Sequence, residues 1–400
     1  MIGVQYKMKV NLKTKNLLLI SFVITLVGNF LDYIDVFNRE TSPLIIYTFI
    51  LLPIAVGIIP FYQSIHNHTN LKYISELHTG IFLFISFILI SIFKAQQVGI
   101  SSNLFWGEAI RLIVPFIYTF LFLNFLSLYD IEVFMKLSLI ATLVAFVFTT
   151  DFSNITLNNI LAISFSNSYS PFENSEVSFL SFALSAFFIY YKNKFPMWTI
   201  LSMIMVVLTF KRVYVLGILI LFIASINFFK RIKVRKWVLY VSSAIWILLV
   251  KFYMFLLDPS NYNLGLEKYH IDVVNFSMNR AYRVWYLIQH NYLSSGLTST
   301  TKFLQTNLFF NGTTLELDLI KILMELGIIG IIIFVICYYR LVRKSFYAYL
   351  LISIMFLQFL MASGVNGYLE MSVILITVAL SNYENPYIDN DLESRISFMF

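Results

Sequence analysis

This chain is short of charge. Only 12% of its 400 residues are Asp, Glu, Lys or Arg, against about 25% in a soluble globular protein. That deficit argues against an ordinary solvated domain. Cysteine is nearly absent too: Cys337 is the single one, so no internal disulfide can form and the compartment cannot be read from it. Clean two-residue alternation is missing, which argues against a β-barrel. The basic opening "MIGVQYKMKVNLKTKN" precedes an apolar run without a small-residue cleavage site, so it reads as an uncleaved first span rather than a signal peptide. A net charge of +7 would suit nucleic acid in a soluble protein. Here most cations sit between apolar blocks, where membrane topology explains them, and no nucleic-acid partner is expected.

Apolar residues are abundant instead. They make up 59% of the chain, and the mean hydropathy is +0.79. They fall into blocks close to the ~20 residues that an α-helix needs to cross a membrane. The blocks lie at 17–36, 43–63, 79–93, 106–128, 133–150, 176–191, 196–210, 213–229, 237–257, 318–337, 345–361 and 367–382. The expected fold is an all-α polytopic membrane protein of about twelve transmembrane helices. Residues 1–257 hold helices one to nine, 258–317 form one large outer loop, and 318–400 hold helices ten to twelve with a tail. With both termini cytoplasmic, seventeen of the 28 cations fall inside, including the clusters "KRIKVRKW" and "YYRLVRKS", as the positive-inside bias requires.

Lys211 and Arg212 break that pattern, because they join spans seven and eight on the outer side. The 33-residue segment 197–229 would be ~50 Å long as one helix, too long for a single crossing. Split at the two charges it gives helices shorter than the ~30 Å hydrocarbon core. The hairpin tip is then recessed, and an intramembrane cation points to function. The alternative is a pair that snorkels to lipid phosphates.

In the outer loop, Ala281, Val284, Trp285 and Ile288 form a helical stripe, with Arg280, Arg283 and His290 on the other face. This reads as an amphipathic helix lying on the membrane surface, with its arginines directed at a substrate or at headgroups. With Arg111 near the start of span four, the outer half gathers Arg111, Lys211, Arg212, Arg280 and Arg283. Arginine binds phosphate in two-pronged fashion and lysine as a point charge, so an anionic, phosphate-bearing, lipid-linked substrate fits. Arg111 has the alternative of a local pair with Glu108. Glu316 and Asp318 stand at the mouth of span ten. Either supplies a general base, or the pair simply suits a helix start capped by Thr313 or Thr314. Glu325 lies deeper, before the small-residue surface of Gly327 and Gly330.

The pieces "TFKRVYVLG", "NRAYRVWYLIQHNYLSSGL" and "LELDLIKILMELGIIG" resemble the O-antigen ligase/polymerase superfamily, and within it the Wzy-type polysaccharide polymerases. Trp285, Gly296, Glu325, Gly327 and Gly330 carry the match, over roughly residues 200–335. The pattern departs at Ala281, where an arginine often stands. It departs again at Glu316 and Leu317, where the ligase branch has a His-Asn pair. His290 lies in the wrong segment for that pair, so the resemblance favours polymerase over ligase.

The resemblance implies glycosyl transfer on the outer face of the bacterial plasma membrane. Repeat units arrive as undecaprenyl-diphosphate-linked oligosaccharide, and the leaving group is undecaprenyl diphosphate. On this reading Arg212, Arg280 and Arg283 clamp the diphosphate, Lys211 and Arg111 assist, and Asp318 or Glu316 is the base of an inverting displacement. No cofactor is required and no metal-ligating His/Cys cluster appears. The expected partners are the lipid-linked substrate, membrane lipids, and the chain-length regulator and flippase of the same pathway. Competing readings are a ligase, a lipid-linked oligosaccharide flippase, and a metal-binding transferase using Asp32, Asp35 and Glu40.

Overall fold

A computed structural model describes residues 12–34, 43–68, 71–95, 102–152, 175–209, 211–310, 313–342 and 345–383. Among the described residues, twelve principal helices coincide one for one with the apolar blocks. They are α1 (Leu12–Tyr33), α2 (Pro43–His66), α3 (Ile74–Ala95), α4 (Ser102–Phe125), α5 (Leu128–Thr149) and α6 (Ser175–Tyr190). Then follow α7 (Pro196–Leu208), α8 (Arg212–Ala224), α9 (Lys236–Leu256), α10 (Asp318–Leu341), α11 (Phe346–Met361) and α12 (Tyr368–Tyr383). No strand occurs among the described residues, which contain one isolated bridge, between Lys233 and Ser345. Asp35, Glu40 and the tail beyond residue 383 lie outside the described residues.

Seven of these helices (α1 to α5, α9 and α10) are long and apolar enough to cross a membrane. The others have 13 to 16 residues, or about 20–24 Å of rise. The outside of the bundle is apolar, with Phe82, Phe93, Leu248 and Trp237 all more than half exposed. A continuous apolar exterior suits lipid, not water. The chain is therefore a polytopic α-helical membrane protein.

Helix α12 is the axle of the bundle. Every residue from Tyr368 to Asn382 is buried, so it is enclosed by protein on all sides, and it packs against α4, α6 and α11. Helix α10 packs against α3, α9 and α11. Small residues permit the close approaches: a Cβ on Gly80 would fall 2.3 Å from a ring carbon of Phe116.

Between α9 and α10, the described residues of the segment 257–317 are folded. Short helices run over Tyr262–Tyr269, Val273–Phe276, Ala281–Gln289 and Ser299–Gln305. Asp258 and Asp272 cap two of the turns by accepting nearby backbone N–H groups, the expected work of an N-cap carboxylate. In Ala281–Gln289 the fully buried stripe is Ala281, Val284 and Leu287. Trp285 and Ile288, assigned to that stripe from the sequence, are half-buried. The stripe packs into the protein core rather than lying free on a surface.

Candidate functional site

The site begins where α10 breaks. Gly327 has φ +73° and ψ −171°, a region essentially closed to residues with a side chain, so the helix divides after Leu326. Broken helices at membrane depth occur where backbone lines a cavity or is buried in protein. Above the break, Asp318, Lys321 and Glu325 follow i, i+3, i+7 spacing on one face. They span about 10 Å along the axis.

Glu325 is 1% exposed and holds the long connecting segment in place. Its carboxylate accepts the N–H of Thr298 at 3.0 Å, the N–H of Thr300 at 3.1 Å and the hydroxyl of Thr300 at 2.5 Å. Its backbone carbonyl accepts the hydroxyl of Ser294. Residues 294–301 thereby dip into the bundle. Gly296 makes this approach possible: with φ +98°, a Cβ there would lie 2.6 Å from the Cα of Ser91. Ser91 Oγ accepts the N–H of Leu297 at 3.1 Å. Lys94 completes this corner, its Nζ standing 3.7 Å from where a Cβ on Gly327 would be.

Lys321 joins α10 to α4, its ammonium bound to Glu108. Both side chains are largely buried, at 7% and 18% exposure, and a charge buried here without its partner would be costly. Asp318 Oδ2 accepts the N–H groups of Gly364 at 2.6 Å and Val365 at 2.7 Å, which anchors the turn between α11 and α12. Between these groups lies a small, partly open cleft of about 30 Å³. Glu108, Asp318, Lys321, Glu325 and Asn366 supply its polar lining, and apolar side chains such as Phe87, Leu112 and Leu297 the rest.

Of the residues singled out in the sequence, Asp318 lines this cleft. Glu316 does not. It binds Arg280 Nε at 2.9 Å and Arg283 Nη1 at 3.1 Å, and Arg283 also donates to the carbonyl of Thr314 at 2.7 Å. Burial would raise the Glu316 carboxyl, but Arg283 and then Arg280 bring it below the usual glutamate range. Arg280 and Arg283 thus converge as expected, on a carboxylate of the protein itself. Neither threonine caps α10: Leu317 is its N-cap, without a side-chain bond, and the Thr313 hydroxyl turns to Phe310.

Lys211 and Arg212 open α8, with Lys211 as N-cap. The Lys211 ammonium lies over the ring of Tyr214 at 5.9 Å, while Arg212 is exposed. Helix α8 packs on α6 and α11. Arg111 does not pair with Glu108, whose partner is Lys321; the Arg111 Nε is buried without a hydrogen bond. His290 is exposed, its Nδ1 beside the carbonyl of Tyr286. Among the described residues no cluster of three or more His, Cys, Asp or Glu side chains is arranged to hold a metal.

Lys321 and Lys94 were not singled out by the sequence reading. The signal for Lys321 was present in "LDLIKILMELG": a lysine inside an apolar helix, on the same face as two carboxylates. Lys94 carried a weaker one, a cation at the end of an apolar block.

Fold and site together define a polytopic membrane protein with a charged cleft at the end of the bundle that carries the 257–317 segment. No family model, curated protein or solved structure matches this chain.

Proposed function

We propose that this chain polymerises glycan repeat units carried on undecaprenyl diphosphate, at the outer face of a bacterial plasma membrane. In this reading all twelve helices are membrane-embedded, both termini are cytoplasmic, and the 257–317 segment faces outward. The observation that carries the proposal is the contact between Glu325 and the segment after Gly296. Two parts of the polymerase-like pattern, about 30 residues apart, meet at one site and form one wall of one cleft.

The chemistry follows from the groups present. Asp318 takes the proton from an acceptor hydroxyl, whose oxygen attacks the anomeric carbon of the donor glycan. The bond from that carbon to the diphosphate oxygen breaks, with inversion, and undecaprenyl diphosphate leaves. Asp318 is preferred over Glu316 because it lines the cleft, with Oδ2 engaged by two amides and Oδ1 available to the acceptor. Glu316 instead aligns Arg280 and Arg283. Two guanidiniums on one carboxylate leave a net positive charge, and a diphosphate competes for them in bidentate fashion. Lys321 provides a fixed ammonium at the cleft, where poor hydration strengthens its stabilisation of developing negative charge. Lys211, Arg212 and Arg111 are assigned to guiding the carrier lipid to the site.

Deletion of the chain followed by lipid analysis tests the proposal. A polymerase deletion leaves single repeat units on the carrier or the cell surface. Long carrier-linked polymer would mark a ligase instead, and single units trapped on the cytoplasmic side a flippase.

A further inference from the structure

Most polar groups of the cleft are already committed. Glu108 holds Lys321, Glu325 accepts from Thr298 and Thr300, and Asp318 Oδ2 accepts from Gly364 and Val365. Asn366 is the exception. It lines the cleft, is half-buried, and no hydrogen bond among the described residues engages its amide. That amide offers two donors and an acceptor. A sugar hydroxyl, which both donates and accepts, can use both functions, whereas a phosphate oxygen can use only the donors.

The backbone around Asn366 is pinned on both sides. Asp318 holds the amides of Gly364 and Val365, and Gly367 N–H returns to the carbonyl of Gly364 at 3.0 Å. Below the turn there is no slack, since a Cβ on Gly364 would fall 2.7 Å from the ring of Phe359. With the backbone held this firmly, only the Asn366 side chain has freedom to lose on binding. We infer that Asn366 reads a hydroxyl of the glycan, making the turn 362–367 the specificity element of the cleft. This rests on the polymerase reading and extends it, since it concerns the sugar rather than the diphosphate.

The test is binding to the full-length chain in lipid nanodiscs, with two probes. One is the lipid-linked repeat unit purified from a strain deleted for this chain; the other is bare undecaprenyl diphosphate. Asn366→Ala and Asn366→Leu, the latter filling similar space without hydrogen bonding, should each weaken the first probe by about tenfold. Both should bind the second as the wild type does and melt at the wild-type temperature. Equal weakening of both probes shows a structural role and overturns the inference, as does unchanged binding of both. A wild type that binds neither probe overturns the polymerase reading and this inference together.

Discussion

Glu325 and Thr300 meet twice on one oxygen: the N–H of Thr300 at 3.1 Å and its hydroxyl at 2.5 Å both donate to Oε1. This contact ties the segment between α9 and α10 to the broken helix and closes one wall of the cleft. Glu325→Ala strands buried donors from Thr298 and Thr300, each costing about 1–3 kcal/mol. The expected outcome is a lowered melting temperature in detergent and faster hydrogen exchange at 294–301. Glu325→Gln retains a carbonyl acceptor and should lose less.

Lys321→Ala leaves Glu108 buried without its cation, and breaking such a pair costs about 3–5 kcal/mol. Lys321→Met combined with Glu108→Leu removes both charges and should be more stable than Lys321→Ala alone. Thermal melting of the wild type and these two variants measures this. A double variant no more stable than Lys321→Ala would show that the pair does not act as a unit.

The two special glycines differ in kind. At Gly296 a side chain meets the backbone of Ser91 at 2.6 Å, whereas at Gly327 the nearest atom is 3.7 Å away. Gly327→Ala therefore costs backbone strain alone, about 1–3 kcal/mol. Gly296→Ala also pushes residues 294–301 away from α3. Hydrogen exchange should rise at 294–301 in the Gly296 variant and stay near wild type there in the Gly327 variant.

Glu316 should make the arginine-bearing helix sensitive to acid. Its carboxyl lies below the usual glutamate range in the folded chain. The stabilisation is therefore complete above the unfolded-state value near 4.3 and disappears as pH falls through the lower folded-state value. Wild type should melt above Glu316→Gln at neutral pH, and the two midpoints should converge in acid. A gap that persists undiminished in acid would mean that Glu316 acts through its shape and not its charge.

The helices were legible because apolar block length is a local property, readable wherever charge interrupts it. That explains why α7 and α8 are correctly separated at Lys211 and Arg212. The site was legible only in part. Asp318 stood out as a carboxylate at a helix mouth, but its engagement of Gly364 and Val365 depends on a turn 46 residues away. Arg280, Arg283 and Glu316 were each visible, yet their mutual pairing was not. Helix 281–289 presents a buried face and a charged face whether it rests on lipid or on protein. Lys321 shows the opposite case: its signal is local, an i, i+3, i+7 row of charges on an apolar helix. The dip of residues 294–301 is a tertiary arrangement, and the "SSGLTST" segment alone carries only the flexibility for it.

The proposed role of Asp318, at the cleft, is to act on lipid-linked glycan. Its most direct test is the surface-glycan ladder of a deletion strain complemented with Asp318→Asn, which is near-isosteric and still offers a carbonyl oxygen to the amides of Gly364 and Val365. The protein should reach the membrane in normal amount, no polymer should form, and single repeat units should accumulate on the outward-facing carrier. A normal ladder from that variant would contradict this role.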